Sequence, residues 1–114
     1  MHPTDAMGAY FDRQIAACKD RQAVLASDSR TDEANFEKIR ANVFDIFRTI
    51  LSVAQKMADP KAFFLKKLEE IPANWVSARK AALAHRDDVA AHIETIKLET
   101  KNAIRAEFLR IWEE

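Results

Sequence analysis

Four residues in the C-terminal third have the side chains and the spacing of metal ligands: His85, Asp88, His92 and Glu99. At about 100° per helical residue they fall within roughly 60° of one another. Imidazole and carboxylate on successive turns is how helices present metal ligands. The two histidines stand seven apart, so one helix alone does not close a tetrahedral site. Glu37 or Asp45 from another helix, or a ligand from another chain, would have to complete it. A metal or small ligand held by His85, Asp88 and His92 is therefore one functional expectation. The plainer alternative is a solvated helix edge with local His–Asp pairing.

A second cluster is basic. Lys61, Lys66, Lys67, Arg79, Lys80 and Arg86 crowd the middle third against Glu69 and Glu70. A short helix, a tight turn at Ile71-Pro72-Ala73-Asn74 and a longer helix give the outline of a helix-turn-helix. Lys66, Lys67, Arg79 and Lys80 would then be its phosphate contacts. Trp75, Val76, Ala78 and Ala82 occupy positions where polar base-reading residues are needed, which disfavours nucleic acid. So does the whole-chain balance of 18 basic against 18 acidic residues, which supplies no long-range attraction for phosphate.

Catalytic patterns are weaker still. No Gly-rich phosphate loop or nucleophile elbow is present. The adjacent carboxylates Asp87-Asp88, Glu69-Glu70 and Glu113-Glu114 would point about 100° apart on a helix, too divergent to act as an acid–base pair. The single cysteine, Cys18, excludes an internal disulfide and reads as a small buried hydrophobe. The expectation is a protein without enzymatic activity and without a cofactor.

The elements that must position these residues are helices. The 114-residue chain holds one Gly and three Pro, 48% hydrophobic and 32% charged residues. That length suits one helical domain over residues 1–114 with a core of its own. The spacing predicts a first helix over 4–26, with Thr4 or Asp5 as its cap and Met7, Phe11, Ile15, Cys18, Gln22 and Leu25 on one face. A loop at Ser27–Asp32 leads to a second helix over 32–58. Its apolar arc is wide, from Phe36, Ile39 and Val43 through Ile46, Phe47, Ile50, Val53, Ala54 and Met57, with Phe44 and Leu51 at the margin. Asp59-Pro60 caps a short third helix over 60–71 that turns Phe64, Leu68 and Ile71 inward.

From Pro72 onward no Gly or Pro interrupts the pattern, and the apolar stripe keeps its phase from Ala82 to Val89. The sequence therefore predicts one long helix over 73–112. A break at Asp87 or Asp88 is the competing possibility, since either can cap a new helix. Unbroken, the helix would run roughly 60 Å at ~1.5 Å per residue and overhang a domain about 30 Å across. Ala84, Ala91, Leu98 and Leu109, with Trp112 near the helix end, trace a second thin apolar line, and two apolar lines on one helix imply two neighbours.

These readings combine into an all-α antiparallel four-helix bundle with a long C-terminal helix. The function expected of it is a small interaction or regulatory module that self-associates as a homodimer, with another protein as a further partner. The N-terminus has neither a basic region nor an apolar run of signal-peptide type, and no segment suits a membrane span. The expectation is a cytoplasmic location without membrane attachment.

Overall fold

Caps and prolines set most of the helix boundaries. The computed structural model describes residues 2–113, and every regular element among them is an α-helix: α1 (Pro3–Ser27), α2 (Thr31–Ala54), α3 (Pro60–Glu70), α4 (Ala73–Ala84) and α5 (Asp88–Glu113). α1 begins slightly earlier than the sequence predicts. His2 Nδ1 accepts a hydrogen bond from the Thr4 N–H at 3.1 Å, and Pro3 occupies the first turn, where a missing N–H costs nothing. α3 starts as expected, with Asp59 Oδ1 accepting from the Ala62 N–H at 3.1 Å. α2 ends at Ala54 rather than Ala58, because the next N–H groups, those of Lys56 and Met57, turn back three residues to the carbonyls of Val53 and Ala54.

The predicted long helix over 73–112 is two helices. At the end of α4 the Asp87 N–H bonds the Ala82 carbonyl at 2.8 Å and the Arg86 N–H bonds the Leu83 carbonyl at 3.1 Å. Arg86 takes a left-handed φ of 56°. This paired 6→1 and 5→2 closure is a Schellman motif, normally built on glycine. Asp87 Oδ1 then accepts from the Ala90 N–H at 3.0 Å and caps α5. The turn after α1 repeats the design with Ser29 at φ 60°.

Each of these turns folds a helix back antiparallel on its successor. Arg21 meets Glu37, and Asp12 meets Arg48, along α1 and α2. Arg79 meets Thr95, and Trp75 meets Lys97, along α4 and α5. The two hairpins join with α2 and α5 running in the same sense. Phe36 and His92 touch near their starts, with ring centroids 4.7 Å apart. Further along, Phe64 of α3 touches Phe47 of α2 at 6.1 Å and Phe108 of α5 at 4.5 Å.

The core is aromatic and lies towards the α3 end. Phe11, Phe47, Phe64 and Phe108 are fully buried and are joined through Phe64, whose ring stacks on Phe108 at an interplanar angle of 18°. Phe108 in turn stacks on Trp112 at 4.3 Å. α3 therefore plugs one end of the bundle. The inward arc of α2 is rotated from the expected stripe. Val43, Phe47 and Ala54 of that stripe are buried, but so are Ala34, Glu37, Ala41, Phe44 and Leu51 to one side of it, whereas Ile46 and Val53 are exposed. The molecule is a slab of 43 × 34 × 21 Å.

Candidate functional site

Among the described residues no helix plugs the end opposite α3. The α1–α2 turn and the α4–α5 turn meet there, together with the first turns of α2 and α5. Among the described large apolar residues Val89 (68% exposed), Val24 (59%) and Leu83 (48%) are the three most exposed, and all sit at this end. Between α2 and α5 it opens into a groove of about 360 Å³, with Phe36, Val89 and Ile93 as apolar lining and Asp32, Asp88 and His92 at its edge. The arrangement suits docking by an apolar surface: its two carboxylates, Asp32 and Asp88, stand in the first turns of α2 and α5, where they complement the helix dipoles, and its other polar residues are Asn35 and His92.

The break after α4 redistributes the residues singled out for metal binding. His85 ends α4, Asp88 starts α5, His92 lies edge-on to the Phe36 ring at 4.7 Å, and Glu99 is exposed further along α5. Among the described residues no three histidine, cysteine or acidic side chains are placed to hold a metal ion. Asp88, His92 and Glu99 remain along α5, and the break removes His85 from the helical edge on which the ligand set depended.

The expected apolar line is likewise redistributed. Arg79 of α4 donates to Thr95 Oγ1 at 2.9 Å, which marks the face of α5 that α4 covers. Ala91 and Leu98 stand four before and three after Thr95, on that same face, and they are buried and half-buried. Their second neighbour is thus the chain's own α4. Ala84 is exposed on α4, while Leu109 and Trp112 pack against the core. Three residues of the basic cluster are engaged by neighbours. Lys66 and Lys67 both reach Glu70, at 3.6 and 3.2 Å, Lys67 also lies over the Phe63 ring, and Arg79 is held by Thr95. Lys80 is exposed. Beside Lys67 the Glu70 carboxyl is held below its usual range.

One polar cluster was not foreseen. Glu37 is buried between α1 and α2, with Oε1 accepting from Arg21 Nε at 3.1 Å and Arg40 Nη1 at 2.8 Å. Arg21 Nη2 also donates to Cys18 Sγ at 3.5 Å. Glu37 Oε2 is buried and has no partner among the described residues. The available signal was the spacing Ala34, Glu37, Ala41, Phe44, which places a carboxylate on an apolar face. Its bonds to Glu37 hold the Arg21 guanidinium above its ordinary value. Burial, reinforced by Glu37 and opposed by Arg21, pushes the Cys18 thiol up.

A raised thiol has two measurable consequences. In the native protein Cys18 is expected to resist an aromatic disulfide reagent and to react only as fast as the chain opens, whereas denaturant releases rapid labelling. Its contribution to stability is fully present below the ordinary thiol value and is lost as pH rises through the raised one. Alkaline unfolding followed by circular dichroism checks this. The alkaline loss should shrink in Cys18→Ala, and an unchanged profile would refute the assignment to Cys18.

No family model, curated protein or solved structure matches this chain. No helix among the described residues is long and apolar enough to cross a membrane.

Proposed function

We propose that this chain is a small helical interaction module that acts by pairing two copies through the unplugged end, without chemistry of its own. The observation that carries this reading is the concentration of Val24, Leu83 and Val89 at the one end of the bundle that no helix covers. Surface area supports it. A 13.0 kDa monomer typically exposes about 6,300 Å², and this one exposes 6961 Å². The surplus, roughly 600–700 Å², is of the order of the ~800 Å² that each partner buries in a standard interface. The radius of gyration is 15.3 Å, against about 13 Å for a compact chain of this length.

A two-fold pairing would place Val89 and Leu83 of each copy in one shared apolar layer. Light scattering across a dilution series tests the reading. The expected result is a dimer that dissociates at least 10-fold more readily in Val89→Glu or Leu83→Glu, since an unpaired charge buried in such a layer costs on the order of 1.4 kcal/mol or more. Both residues are exposed in the single chain, so these variants keep their helical content. A wild-type monomer at every concentration would refute the proposal.

A further inference from the structure

The hinge between α4 and α5 points to a specific way for two copies to pair. Its three residues, His85, Arg86 and Asp87, include no glycine, and Arg86 sits in the left-handed region that side chains other than glycine disfavour. α4 lies along α5, reaches the core through Trp75, whose ring meets Phe47 at 6.4 Å, and buries little else besides Ala82. The apolar pattern passes through the hinge without a change of phase, from Ala82 to Val89. The same residues therefore satisfy either a bent hairpin or a straight helix. Short strained hinges with that property favour exchange of an element between copies.

We infer that two copies exchange α5. Resting on the pairing proposed above, α4 and α5 straighten into one helix over Ala73–Glu113, and each α5 occupies the place of the other copy's α5. The helix directions permit this without rebuilding the body. α4 runs towards the unplugged end and α5 starts there, so a straightened α5 leaves through that end. A partner presenting its own unplugged end receives α5 in the sense in which it already runs, with its C-terminal part meeting α3. The contacts that α5 makes with α4 and α3 are then remade between chains: Arg79 with Thr95, Trp75 with Lys97, and Phe64 with Phe108. Arg86 returns to helical φ, and Val89 and Leu83 lie at the junction between copies. The occupant of the unplugged end is thus the partner's α4–α5 junction.

The test is an intrachain distance. Spin labels are placed on Ser77→Cys and Glu99→Cys in a Cys18→Ala background, and the labelled chain is refolded at high concentration with an excess of unlabelled chain. In the hairpin the labels lie within roughly 20 Å, because packed helix axes are about 8–10 Å apart. In the straight helix they are about 33 Å apart at 1.5 Å per residue. A dimer showing the long distance is the expected result, and Arg86→Gly should cut that population about 10-fold by relieving the hairpin of its left-handed arginine. A dimer showing only the short distance would overturn the exchange while leaving self-association standing. A monomer would overturn both.

Discussion

Replacing Phe64 with alanine is expected to cost about 3–5 kcal/mol of folding stability, a large share of the ~5–15 kcal/mol available to a domain of this size. Phe64 is fully buried, and its ring meets those of Phe11, Phe47 and Phe108, one from each of α1, α2 and α5. α3 carries only one other buried apolar side chain, Leu68. Loss of the ring leaves a cavity at the junction of three helices and removes most of what holds α3 in place. Urea unfolding monitored by Trp75 and Trp112 fluorescence checks the value through its midpoint. Trp112 reports directly, since it stacks on Phe108 at 4.3 Å. A loss below ~1.5 kcal/mol would mean that α3 is not the plug described above.

The second large effect concerns the buried carboxylate. The double variant Arg21→Ala/Arg40→Ala is expected to lose about 2–3 kcal/mol, and Glu37→Leu to lose less than ~1 kcal/mol or to gain. The asymmetry follows from burial. The Glu37 side chain is 9% exposed, whereas those of Arg21 and Arg40 are 51% and 36% exposed. Removing the arginines strands a carboxylate between α1 and α2, while removing the carboxylate frees two guanidiniums that already reach water. The single substitutions should add up to less than the double, because either arginine alone still bonds Oε1. Equal effects of Glu37→Leu and the double variant, measured by urea unfolding, would refute this account. The cluster also restricts how α1 slides on α2, since Arg21 of α1 bonds Glu37 of α2.

The helix content and most boundaries were legible because they depend on local chemistry. Asp59 followed by Pro60 starts a helix wherever it stands, and Ser27–Asp32 is rich in side chains that compete with helical hydrogen bonds. Phe64 and Leu68 were placed inward by spacing alone. Spacing placed α2 less well. Its apolar residues span about half the helix circumference, so periodicity does not choose which part of the arc meets α1 and α5. The choice went to the side holding Ala34 and Ala41, where small residues let helices approach closely, and this carried Glu37 inward and left Ile46 and Val53 outside.

The sequence by itself determined that the chain is helical and that Asp59-Pro60 and the Ser27–Asp32 segment separate helices. Only the tertiary structure decided that the last third bends. Nothing local forbids a straight helix at His85-Arg86-Asp87, and no glycine marks the turn. Bending costs Arg86 a left-handed conformation. In return α4 buries Ala82 and covers Ala91 and Leu98, and Trp75 reaches Phe47. Those gains exist only when α4 has α5 to lie against. They belong to contacts between residues far apart in the chain, which a periodic pattern cannot weigh.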